Sequence, residues 1–579
     1  MTERPARPAE TEAAAPPSER LAELARRTWE WMLDRSPELG TSVGDDRRDD
    51  RLADLSDEAE RTRAEEAARL RAELGRIDPR ALGGQDRITW EILDRKLESA
   101  AESYRLLFHL WRVDHVYGIH ISFPALVRQE HPRRSVRDIE NLMARYRAYP
   151  RQVDDVVRNL RAGLQQGFVA PRESVRRTIR QIEEELAKPA AERTLAVDLA
   201  TLPASIPEAS RRELARSMND VLEREISPAL ERMRRMLADE YLPRTRPEVG
   251  IWTVPNGADA YAFLIREHTS TTLEARTIHE IGQRELRSIE DEMRQIAARL
   301  GHRGELQAFS RRIRSDPRNA FATREDLLAA FREIHDRAWE ALPRAFGRLP
   351  TIRSEVRPME AFMERDAPAA FYGGPTEDGS RPGIFWANLH EPGTRPKYDM
   401  EALTFHEAVP GHHLQIAIAS ELRGLPPLRR HMDFTVFVEG WALYTERLAD
   451  ELGLYSDDLS RYGMLGYQAW RACRLIVDTG MHELRWSRQD AIDFLTAHSA
   501  LPANEVTNEV DRYVVWPGQA LAYMIGELEL RRIRRKAEDA LGDRFDLRAF
   551  HDVVLGSGAV PMATLERIVD EWVAERSGS

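Results

Sequence analysis

The chain has 579 residues, 42% hydrophobic and 31% charged, enough apolar material for a large core and too little bias for a low-complexity polymer. Its 85 Lys and Arg against 97 Asp and Glu leave a formal charge of −12, and no dense basic stripe with interleaved aromatics occurs, so a nucleic-acid partner is not expected. The lone cysteine, Cys473, excludes an internal disulfide and a thiolate zinc site, which leaves His and carboxylate side chains for any metal. No apolar run of about 18 residues occurs and the N-terminus has no signal-peptide core, so neither a membrane span nor a membrane partner is expected, and the expected location is the cytoplasm.

Residues 1–18 are rich in Pro, Ala and Glu and are expected to form a disordered tail. From Leu21 to Arg244 the pattern is helical. Ser56–Gly75, Ser135–Gly163 and Arg172–Leu186 carry apolar residues at three- and four-residue spacing between Arg and Glu. Leu202–Pro207 reads as a break, Pro247–Ala260 as a strand or loop, and Thr271–Gly301 as a long helix opened by a Thr/Glu cap. Turn residues then crowd between Gly373 and Gly383, ahead of a short strand at Ile384–Leu389. Helices return at Tyr398 and run nearly to the end. The fold class is mainly α with a small β element, divided into a helical N-terminal lobe (19–250) and a lobe (251–579) carrying the chemical motif, the two expected to interleave.

That motif is Thr404-Phe405-His406-Glu407-Ala408-Val409-Pro410-Gly411-His412-His413-Leu414-Gln415. A His-Glu pair followed by a His on one helix is a solution for zinc: both imidazoles ligate, and the Glu acts as general base on water. Here no His lies at i+4. Pro410 removes a backbone donor and pushes Val409 from helical geometry, and Gly411 adds freedom at the same point. A kink there can return a later histidine to the metal. His412 is favoured as the second ligand, with His413, which an unbroken helix would align with His406, as the alternative. The third ligand is Glu439, which follows an apolar run and opens the stretch Trp441-Ala442-Leu443-Tyr444. Glu446, two turns further along the same face, is placed to orient a ligating His. One zinc ion is expected, although manganese, cobalt or iron suits the same donors. His279-Glu280 lacks a following His and reads as a surface helix feature.

The segments HEAVPGHHLQ, VEGWALYTERLADELG, DTGMHELRWSRQDAIDFL and EVDRYVVWPGQALAYMIGELEL, with GSRPGIFWANL and Tyr261–Gly282 upstream, resemble the bacterial domain-of-unknown-function family 885 (DUF885). That family is remotely similar to helical zinc metallopeptidases such as the thimet oligopeptidases and carboxypeptidase Taq. The resemblance implies a two-lobed helical fold with a deep central cleft, and zinc-dependent peptide-bond hydrolysis. The longer histidine spacing departs from those relatives.

Amide hydrolysis also needs donors for the tetrahedral oxyanion. Tyr523 is the expected oxyanion donor, Arg512 a carboxylate or oxyanion contact, and His482 a further candidate in the catalytic set. Arg474 is a candidate for a substrate carboxylate. The strand edge at Gly383–Leu389 could pair with an extended substrate, Gly383 allowing close approach and Asn388 bonding an amide. The expected substrate is a short peptide or a small-molecule amide, cleaved with Glu407 as base. Two other readings are a metal hydrolase of a non-peptide amide, ester or lactam, and a non-catalytic binding scaffold. The sequence leaves monomer and homodimer equally open.

Overall fold

Serines start two of the long helices in the way their position dictates. Ser56 accepts a hydrogen bond from the Ala59 N–H ahead of Asp57–Leu74, and Ser135 forms a full capping box with Asp138 ahead of Val136–Gln166. The computed structural model describes residues 15–359, 364, 368–376 and 382–578. Within them the protein is mainly helical with one small sheet. Most of the tail expected over 1–18 lies outside the described residues, but its last two are helical, because Pro17 occupies the first position of Pro17–Arg35.

Two expectations change. Pro247–Ala260 holds no strand: a short 3₁₀ turn at Ile251–Thr253 leads into a helix at Gly257–Thr269. The long helix after it is Ala275–Arg299, and its N-terminal residue Glu274 makes no side-chain cap. Thr271 instead bonds the Thr269 hydroxyl at 2.9 Å, inside the preceding turn.

Apolar side chains form two cores. The smaller is built from residues 113–242 and the larger draws on both 21–111 and 249–572. The sheet belongs to the larger core. Its strands are β1 (Glu355–Pro358), β2 (Ala370–Gly373) and β3 (Ile384–Ala387), in the order β1-β3-β2, with β1 parallel and β2 antiparallel to β3. Phe385 and Ala387 of β3 are fully buried, so the strand expected as an edge is the sheet's centre.

Six helices of the larger core hold the chemical residues: α1 (Met400–Glu407), α2 (His412–Ser420), α3 (Thr435–Glu451), α4 (Asp458–His482), α5 (Ala503–Val515) and α6 (Ala522–Leu541). Helices α3 and α6 meet backbone to backbone. A Cβ on Gly440 would lie 2.5 Å from the Gly526 Cα, and one on Gly526 would lie 2.1 Å from the Val436 carbonyl oxygen. Only glycine fits on both sides of that crossing. The contact brings Glu439 of α3 and Tyr523 of α6 into one neighbourhood.

Candidate metal centre

The helix carrying His406 stops at Glu407 and a new one starts at His412, with Ala408–Gly411 forming the break that Pro410 and Gly411 foretell. Gly411 packs so tightly under α1 that a Cβ would lie 1.9 Å from the His406 carbonyl oxygen. The break is pinned from outside by Trp441, whose indole N–H donates to the Pro410 carbonyl at 3.0 Å.

This geometry turns His412, not His413, toward His406. The two rings stand nearly perpendicular with centroids 4.8 Å apart. Glu439 faces both: its Oε2 lies 3.7 Å from His406 Nε2 and 3.5 Å from His412 Nε2. These separations are too long for hydrogen bonds, and the buried Oε2 has no hydrogen-bond partner among the described residues. They suit a shared cation: ligands about 2.0–2.1 Å from a tetrahedral zinc ion stand roughly 3.3 Å apart. A buried carboxylate oxygen left unpaired is costly, and a divalent ion removes that cost. The three residues are therefore a fitting donor set for zinc.

Behind the first histidine, Glu446 Oε1 accepts from His406 Nδ1 at 2.9 Å, which leaves Nε2 as the ligand atom. Glu446 is fully buried, and its other oxygen is 3.4 Å from the Gln468 amide of α4. Burial works against charge on His406, yet the Glu439 and Glu446 carboxylates hold its imidazole up at about 9. Burial likewise opposes charge on Glu439, and the two imidazoles hold it well below the usual carboxylate range. Glu407 makes no ion pair or side-chain hydrogen bond among the described residues. Burial raises its carboxyl while His412, His406 and Arg471 pull it down. A carboxyl with raised basicity beside the donor set has the properties of a general base.

The remaining sequence candidates divide sharply. His413 is corrected out of the ligand set: its Nε2 donates to the Ile352 carbonyl at 3.0 Å and its Nδ1 accepts from the Tyr372 hydroxyl at 2.8 Å, so both nitrogens are occupied. His482 is likewise structural. Its Nδ1 accepts from the Ile251 N–H at 3.1 Å, its Nε2 donates to the Tyr513 carbonyl at 3.0 Å, and burial pushes it down to about 3. Asn388 donates to the Glu364 carbonyl at 2.7 Å and the Pro368 carbonyl at 3.0 Å, tying a loop to the sheet instead of facing a substrate. Gly383 allows a close approach, but of the Tyr372 hydroxyl, which a Cβ would meet at 2.2 Å. Since β3 is paired on both sides, it offers no free edge to a peptide. His279 is not on the surface; it is buried against the Thr479 hydroxyl at 2.9 Å.

Tyr523, Arg512 and Arg474 do gather near the candidate donor set. Tyr523 is raised by burial and then by the Glu439 charge, and the Arg474 guanidinium stacks 4.2 Å from its ring centre. Arg474 and Arg512 both reach Glu509, at 3.2 and 3.1 Å, and Arg512 also donates to Gln519 at 3.0 Å. Burial of Glu509 is outweighed by these two cations, which hold it at about 2. The sequence reading missed Glu509, Gln468 and Arg471. For Gln468 and Arg471 the signal was available in α4, where polar residues recur at 468, 471 and 474 along a largely buried stretch.

Among solved structures, a protein named as a candidate lipoprotein from Colwellia psychrerythraea superposes with a TM-score of 0.91 at 27% identity, over 96% of this chain and 99% of its own. A second, named as a candidate lipoprotein of unknown function from Shewanella oneidensis, gives 0.73 at 17% identity, over 96% of this chain and 100% of its own, and bears on the fold alone. No curated protein matches the chain. The match to the family described as "Bacterial protein of unknown function (DUF885)" spans residues 37–569, and the chain belongs to that family.

Proposed function

We propose that this protein is a zinc-dependent hydrolase of peptide or amide bonds in short peptides or peptide-like small molecules. The observation that carries the reading is the convergence of His406 Nε2, His412 Nε2 and a Glu439 Oε2 that accepts no hydrogen bond among the described residues, all within 4.8 Å of one another. Zinc bound there supplies Lewis acidity and makes an attacking water easier to deprotonate. Glu446 fixes the tautomer and tilt of His406. Glu407 takes the proton from water and passes it to the leaving amine. Tyr523 donates its hydroxyl to the developing oxyanion. Arg512, committed to Glu509 and Gln519, positions the neighbouring groups. The two separate apolar cores support the finer reading of a two-lobed metallopeptidase-like fold, with substrate entering between lobes. No helix among the described residues is long and apolar enough to cross a membrane. The names of the similar structures set a lipid-anchored location against a cytoplasmic one, and fractionation of the producing cells separates the two.

The test is metal analysis together with a panel of short peptides, amides, esters and lactams. Glu407→Gln should keep one zinc per chain and lose about 10²–10⁴-fold in turnover, the range for a general base. Full activity in Glu407→Gln removes the base assignment, and a wild-type chain that retains no divalent metal removes the whole reading. Turnover confined to esters or lactams selects the alternative substrate class.

A further inference from the structure

Helix α4 carries three polar residues past the metal centre at 468, 471 and 474. The first, Gln468, touches Glu446 behind His406. The last, Arg474, lies over the Tyr523 ring. Arg471 sits between them, only 6% exposed. Its guanidinium is 4.3 Å from the Trp470 ring centre and 4.8 Å from that of Tyr467. Arg474 lies against the same indole, also at 4.3 Å. Trp470 is in turn fixed by its N–H, which donates to the Tyr513 hydroxyl at 3.2 Å.

The hydrogen bonding around this group is incomplete. Arg471 makes no ion pair among the described residues, and its buried Nε and Nη1 have no partner. Arg474 Nη1 and Arg512 Nε are also buried and without partners. Among the described residues Glu509 is the one carboxylate paired with Arg474 and Arg512, and Arg471 has no carboxylate of its own. A buried, unpaired guanidinium is among the most expensive groups a protein can keep. Its charge also helps lower the Glu407 carboxyl against burial.

We propose that Arg471, with Arg474 and Arg512 beside it, forms a carboxylate-binding subsite next to the metal centre, and that the substrate carries a free carboxylate. The inference rests on the hydrolase reading and deepens it by naming the substrate class. Arg471 supplies the planar donor set that a carboxylate matches, and the aromatic walls of Tyr467 and Trp470 hold that plane in place. Arg474 and Arg512 supply positive potential while remaining tied to Glu509. A neutral amide leaves the Arg471 donors unpaired and gains none of this.

The test uses the full-length, zinc-loaded Glu407→Gln protein, so that binding is read without turnover, and two probes: N-benzoyl-glycyl-phenylalanine and its C-terminal amide. Calorimetry should show the free acid binding about 10–100-fold more tightly than the amide, the size of one charge-assisted contact. Adding Arg471→Met should collapse that ratio to about threefold or less at unchanged zinc content and unchanged circular dichroism, and Arg471→Lys should recover part of it. Equal binding of acid and amide by the Glu407→Gln protein overturns the proposal without needing the Arg471 variants to fold. A preference that survives Arg471→Met overturns it as well. An acid preference that depends on Arg471, in a protein that hydrolyses nothing, leaves the subsite standing and removes the hydrolase reading instead.

Discussion

Two sets of buried histidines in the larger core are built oppositely. At His413, His482 and His551 both ring nitrogens are occupied: His551, for example, donates to the Ala345 carbonyl at 2.9 Å and accepts from the Tyr444 hydroxyl at 2.8 Å. At His406 and His412 the Nε2 atoms face a carboxylate oxygen that accepts no hydrogen bond among the described residues. All five residues are buried, so burial does not separate the sets. Unmet bonding capacity does. A fully paired imidazole is a structural cross-link, whereas converging unpaired donors and acceptors mark a place where a ligand completes the structure.

The largest expected effect breaks this contrast at Glu439. Glu439→Ala should lower zinc affinity by more than the roughly 100-fold ceiling for residues behind the ligands. His482→Ala should do the reverse. It strands the Ile251 N–H and the Tyr513 carbonyl, each worth about 1–3 kcal/mol, and lowers the melting temperature while zinc still binds the folded fraction. Metal titration and thermal melts of both metal-free variants check the pair; a destabilised Glu439→Ala with intact zinc binding would reverse the assignment of the two sets.

Much of the centre was legible in the sequence. The Pro410-Gly411 pair argues for His412, because a missing N–H and an adjacent glycine together favour a break in the helix. Glu446 followed from its two-turn spacing after Glu439. What escaped was long-range pairing. Nothing local distinguishes His482, bonded to a residue 231 positions away, from a catalytic histidine. The same blindness made β3 an edge, since its neighbours β1 and β2 are short and flanked by turn residues. Residues 21–111 join the larger core because of where the chain returns, a fact with no periodicity to announce it. Arg471 escaped for another reason: its meaning lies in partners it lacks, and a sequence does not display an absence. Gly379, part of the expected turn before β3, lies outside the described residues.

A smaller effect sharpens the comparison at the hydrogen bond behind the metal. Glu446→Gln keeps the shape of the contact to His406 Nδ1 but removes its charge. Zinc affinity should fall about 10–100-fold, with the coordination itself retained. Competition against a chelator of known affinity reads the change. An unaltered affinity would reduce Glu446 to a packing residue.

The smallest effect concerns the paired set and appears only in acid. Burial pushes both His482 and His551 down to about 3, against an ordinary value of 6.5. Because the folded-state values are depressed, the unfolded chain binds more protons between pH 6.5 and 3, so stability is fully present above pH 6.5 and drains away as pH falls through that window. Each imidazole contributes a slope of up to about 1.4 kcal/mol per pH unit. His551→Asn keeps a donor for the Ala345 carbonyl but does not titrate. Its stability at pH 7.5 should drop, since the Tyr444 contact is lost, while the slope between pH 6 and 4.5 becomes shallower by about one proton. Denaturant melts across that range measure the slope directly, and an identical slope in parent and variant would show that His551 is already charged in the folded protein.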